Sequence, residues 1–80
     1  MKIQILFFGI LKDVVGKNLK ELTINSQTSI ADLKPILFEK FKGLDEFSNF
    51  SIAVNEEYVE AYYLLKANDV VALIPPVSGG

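Results

Sequence analysis

Eighty residues, half of them apolar, with no Cys, no His and a formal net charge of −2, set firm bounds on this chain. Without thiol or imidazole it has no disulfide, thiolate nucleophile or side-chain persulfide, no Ser/His/Asp or Cys/His catalysis, and none of the usual zinc or haem ligands. All eight cations are Lys, so the Arg fork that grips phosphate or guanine is missing and nucleic-acid binding is not expected.

Nor is a membrane partner expected, because no apolar run approaches spanning length. No secretory signal pattern opens the chain, and a domain this small without disulfides fits the cytoplasm. The length allows one domain of modest stability.

Lys2 to Phe8 alternates Ile3, Ile5 and Phe7 with Gln4, Leu6 and Phe8. Its far end is apolar on both sides, as in a central strand. Gly9 ends it. Ile10 to Val15 reads as one or two helical turns, with Gly16 placed for a left-handed cap. Lys20 to Ile24 gives a second strand with Leu22 and Ile24 inward.

After the polar loop Asn25-Ser26-Gln27-Thr28, Ser29 and Asp32 have capping-box spacing. Ile30, Leu33, Leu37, Phe41 and Leu44 then recur at intervals of three and four, one narrow helical face. Pro35 interrupts this helix on the side opposite the stripe. The expected result is a kink there, the alternative a helix that begins afresh at Pro35.

Phe50 to Val54 alternates as a third strand. Asn55-Glu56-Glu57 makes a turn, and Tyr58 to Glu60 a short fourth strand. Lys66-Ala67-Asn68-Asp69 is a second turn, with Asn68 suited to left-handed backbone. Val70 to Ile74 is an apolar run ending at Pro75, again central in character.

One dominant helix laid across a mixed sheet of four to five strands is a two-layer α+β domain, and the economical arrangement is a β-grasp. Residues 1–75 form that domain, and residues 76–80 form a C-terminal tail. In the tail, Gly79 and Gly80 present only backbone and a carboxylate, slim enough for a channel that excludes side chains. Pro75 and Pro76 stiffen its stem. From Pro76 onward, the tail could reach roughly 16 Å if fully extended.

Several stretches together resemble the sulfur-carrier small subunit of molybdopterin synthase, a ubiquitin-like family. They are Ile5-Leu6-Phe7-Phe8-Gly9, Val15-Gly16, the helix start at Ser29-Ile30 with Asp32-Leu33, and Ala53-Val54-Asn55. The most specific is the close, from Leu65 through Asn68-Asp69 and Val71-Ala72 to Pro75-Pro76-Val77-Ser78-Gly79-Gly80. The likeness spans essentially the whole chain. Asn68 stands where the family often has Gly, Ile74 where it often has Phe, and Pro35 is not a family feature.

The resemblance implies a β-grasp fold and chemistry at Gly80. An adenylyltransferase similar to ubiquitin-activating enzyme would use ATP to make an acyl-adenylate there. Sulfur from a donor persulfide would then leave a thiocarboxylate. Val77, Ser78 and Gly79, with Pro75 and Pro76, would enter the large subunit's active site, where the sulfur passes to a pterin precursor. A heterotetramer with that subunit is expected. The carrier would bind no cofactor of its own, and the catalytic residues would sit on its partners.

Phe7, Phe8, Leu73 and Ile74 lie on the two presumed central strands. Most should be core, but some must point away from the helix and leave an apolar docking patch at the tail's base. Asp45, Glu46, Glu56, Glu57 and Glu60 are solvated surface or a steering charge for a basic partner. Alternatives on the same scaffold are a carrier for thiamin, cysteine or tRNA thiolation, a ubiquitin-like modifier of lysines, and an interaction module with an inert tail.

Overall fold

The computed structural model describes residues 1–47 and 49–76. Alternating apolar residues make β1 (Lys2–Phe7), which buries Ile3, Ile5 and Phe7. Gly9 follows at φ 56° and ψ −133°, a backbone state essentially restricted to glycine. In α1 (Ile10–Val15), Leu11 is buried, and Gly16 closes the helix in left-handed geometry at φ 83° while its N–H donates to the Lys12 carbonyl. β2 (Leu19–Thr23) begins one residue earlier than expected, with Leu22 and the following Ile24 buried as expected.

α2 (Ile30–Lys40) starts at the capping box. The Asp32 N–H donates to Ser29 Oγ at 3.1 Å, and the Ser29 N–H donates to the Asp32 carboxylate at 3.2 Å. The Ile30 and Ala31 N–H groups donate to the carbonyls of Tyr63 and Ala61 at 3.0 and 2.9 Å. The donors that a helix start normally leaves orphaned are thus taken up by its cap and by the loop before β5. Ser29→Ala is expected to cost about 1 kcal/mol, read as a lower urea midpoint at unchanged slope. An unchanged midpoint would mean that the loop carbonyls alone hold the helix start.

Pro35 stands exposed inside this single helix, so α2 does not begin afresh there. The expectation that one helical face runs on to Leu44 is corrected. α2 stops at Lys40, Phe41 is extended at φ −119° and ψ 96°, and the chain turns at Gly43 into a short 3₁₀ segment (Leu44–Phe47). That segment returns Leu44 to the core by another route.

β3 (Ser51–Val54) and β4 (Glu57–Tyr58) form a hairpin. Its turn has two residues, Asn55 and Glu56, at φ 51° and 72°, the pattern of a type I′ turn. The turn is one residue shorter than expected, which moves β4 from Tyr58–Glu60 to Glu57–Tyr58. Asn68 is left-handed at φ 71°, as expected, and leads into β5 (Val70–Ile74).

The five strands are ordered β2-β1-β5-β3-β4, with β1 and β5 parallel and the other neighbours antiparallel. This is the expected β-grasp, with β1 and β5 inside the sheet. Ile3, Ile5, Phe7, Val71 and Leu73 meet Leu33 and Leu37 of α2 in one core. Phe7 packs edge-to-face on Phe41, with centroids 5.1 Å apart. Among the described residues, no helix is long and apolar enough to cross a membrane.

Candidate functional site

Because strand side chains alternate, the residues between the core positions share the sheet's other face. Register places five of them in one row across all five strands. Leu19 stands opposite Leu6, Leu6 beside Ala72, Ala72 opposite Ala53, and Ala53 opposite Tyr58. The two Ala residues leave the centre low, while Leu6, Phe8, Tyr58 and Ile74 rise around it as a groove of ≈ 300 Å³. Phe8 is 47% exposed and Tyr58 71%. An apolar concavity ringed by exposed aromatics is a candidate surface for docking another macromolecule.

Of the four residues expected on a docking patch, Phe8 and Ile74 line this groove. Phe7 and Leu73 do not. At 2% and 0% exposure they belong to the core, and their place in the patch is corrected. Period two requires this, since consecutive residues face opposite ways. Leu6, Ala53, Tyr58 and Ala72 were missed. Leu6 and Ala72 could have been found by stepping back two residues from Phe8 and Ile74, whereas Ala53 and Tyr58 join only through strand pairing.

The tail's root sits beside this groove. Phe8 N–H donates to the Leu73 carbonyl at 3.2 Å, so the chain beyond β1 runs alongside the end of β5. Pro75, half-buried, lies against Gly9, and Pro76 is exposed. Val77, Ser78, Gly79 and Gly80, to which the tail chemistry was assigned, lie outside the described residues.

A buried carboxylate shapes the groove's far side. Asp69, 5% exposed, accepts from Asn55 Nδ2 at 3.0 Å, the Tyr63 hydroxyl at 3.2 Å and the Lys66 N–H at 2.8 Å. Asn55 Oδ1 in turn accepts from the Val70 N–H at 2.9 Å. The network ties the β3–β4 turn to the start of β5 and so fixes Glu56, which lines the groove. Burial, then the charge and hydrogen bond of Asp69, then the charge of Glu57, raise the Tyr63 phenol above its ordinary pKa.

Of the other acidic residues singled out in the sequence, Asp45 and Glu46 lie on the 3₁₀ segment, which packs against α1 and α2. Among the described residues, no group of three or more carboxylates could hold a metal ion. The groove offers apolar contact and one carboxylate, that of Glu56.

The ThiS family model matches residues 5–80. The molybdopterin synthase sulfur carrier subunit of Caenorhabditis briggsae is 30% identical over 83 aligned positions, covering 100% of this chain and 99% of that protein. SAMP1 from Haloferax volcanii superposes with a TM-score of 0.88 at 21% identity, with both chains fully covered. A chain from the complex of subunits 1 and 2 of molybdopterin-converting factor of Helicobacter pylori superposes with a TM-score of 0.73 at 28% identity, again over the full length of both.

Proposed function

The chain belongs to the ThiS family, and from that premise we propose that it is the sulfur carrier of a molybdopterin synthase. The observation that carries the reading is the continuity of β5 with the tail. The same strand supplies Ala72 and Ile74 to the docking groove and runs directly into Pro75 and Pro76. A partner that covers the groove is thereby handed the tail. The curated relatives that match along the whole chain are sulfur carriers of this synthase, and the Helicobacter pylori neighbour comes from a complex of two converting-factor subunits.

In this reading Gly80 is the acyl carrier. A carboxylate is a poor electrophile because its charge is delocalised. Its oxygen attacks the α-phosphorus of ATP on an activating adenylyltransferase, and pyrophosphate leaves. The outer sulfur of a donor persulfide then displaces AMP to give an acyl disulfide. A second thiol on the partner side attacks the donor's own sulfur, so that the thiocarboxylate leaves and a disulfide forms between the two thiols. The large subunit, expected in a heterotetramer, receives Val77 to Gly80 and passes the sulfur to the pterin precursor. The chain contributes no acid or base to either step, so both active sites come from its partners.

Incubation with the cognate adenylyltransferase, ATP and a persulfide donor should raise the intact mass by the difference between sulfur and oxygen. An unchanged mass would overturn the reading. The groove's part is tested separately. Phe8→Asp places a charge on the exposed rim of the patch and leaves the core untouched. It should weaken binding of the large subunit at least tenfold, about 1.4 kcal/mol, by calorimetry. Unchanged affinity would move the docking surface elsewhere.

A further inference from the structure

We propose that Gly9 is a positioning residue for sulfur transfer: it is the socket that seats the Pro75 ring and so sets the direction in which the chain leaves the body. The proposal rests on the sulfur-carrier reading above. A Cβ added to Gly9 would stand 3.0 Å from Pro75 Cγ and 3.8 Å from its Cδ. The proline ring therefore borders the space that any other residue's side chain would need. Gly9 also holds φ 56° and ψ −133°, and the Phe8 N–H bond to Leu73 ties the socket to the end of β5.

The contact stands where β5 gives way to the tail. Pro75 and Pro76 form a stiff pair, so a tilt at the first is passed on by the second. The direction set at this root decides where the proposed reacting terminus is offered to the partner. Transfer between bound groups is sensitive to misplacement of about 1 Å. Gly9 touches no reacting atom; its effect runs entirely through Pro75.

A double-mutant cycle separates this role from backbone strain at residue 9. Gly9→Ala sets a Cβ against the ring, which must then give by a few tenths of an ångström, and Pro75→Ala removes the ring. Each is expected to lower single-turnover sulfur transfer from loaded carrier to large subunit about tenfold, with the half-saturating carrier concentration within about twofold of wild type. The doubly substituted carrier should match Pro75→Ala alone, because once the ring is gone the socket has nothing to seat. If the two losses multiply to about a hundredfold, Gly9 acts independently of Pro75 and the proposal is overturned.

A second arm needs no activity. The uncharged wild-type carrier should give a nuclear Overhauser contact between Gly9 Hα and the Pro75 ring protons, and its absence overturns the socket directly. If wild type takes up no sulfur although this contact is present, the sulfur-carrier reading fails and the positioning role fails with it. A present contact with multiplying losses removes the positioning role alone.

Discussion

Removing Gly80 is expected to abolish sulfur loading while leaving the melting temperature unchanged. The two effects separate because the fold and the proposed chemistry use different parts of the chain. The core includes Val71 and Leu73, and Pro76 is already exposed. In the truncated carrier the last carboxylate belongs to Gly79, set back by one residue, or about 3.5 Å. An activating site built to bring that carboxylate against the α-phosphorus of ATP cannot make up such a gap, since reacting atoms must approach to about 3–3.5 Å. The expected loss is at least a thousandfold in the rate of thiocarboxylate formation, followed by intact mass. Extending the chain by a single alanine after Gly80 should have the same result for the opposite reason, because the acyl group would overshoot and a methyl would enter a channel fitted to glycine. Sulfur loading of the extended chain, without trimming back to Gly80, would show that the chemistry does not depend on the terminal acyl group. A fall in melting temperature for either variant would mean that the tail also takes part in folding.

How far the sequence led depended on how local each signal was. The alternation in β1, the apolar run of β5, the Ser29–Asp32 box and the left-handed positions Gly16 and Asn68 obey rules written within a few residues, and all stand in the structure as expected. The end of α2 was misplaced because Phe41 and Leu44 continue the apolar spacing while Gly43 breaks the backbone between them. Spacing alone does not tell a helical face from a chain that leaves the helix and returns to the same core. The β3–β4 turn was read one residue too long because Asn-Glu lacks the glycine that usually marks a type I′ turn. Its geometry is held from outside the hairpin, by Asp69. The apolar groove was half legible. Phe8 and Ile74 could be named, but which neighbour turns inward follows from the face that α2 covers, and Ala53 and Tyr58 join only through pairing with β5 and with each other. The tail's motif was the plainest feature of the sequence, yet the contact of Gly9 with Pro75 at its root brings together residues from opposite ends of the chain.

Asp69→Ala is expected to be the most destabilising single polar substitution in the protein. The carboxylate is 5% exposed and accepts three hydrogen bonds, from Asn55 Nδ2, the Tyr63 hydroxyl and the Lys66 N–H. Hydrogen bonds to a charged group contribute more than neutral ones, and donors left without an acceptor retain their desolvation cost, so the loss should be about 3 kcal/mol. A domain of this size holds roughly 4–12 kcal/mol in total, which makes that a large fraction and a drop in melting temperature of about 15 °C. Asp69→Asn keeps one acceptor oxygen and should lie between Ala and wild type. The consequence extends to the groove. Asn55 holds φ 51° while its side chain bridges Asp69 and the Val70 N–H. Without Asp69 the turn carrying Glu56 loses its anchor on β5, and the adjoining β3–β4 ladder is only two rungs long. Affinity for the large subunit should therefore fall several-fold even at temperatures where the variant is fully folded. Loss of stability with binding intact would show that the network serves the fold alone. Unchanged stability would mean that water replaces the carboxylate at all three donors, which a site so nearly closed to solvent leaves little room for.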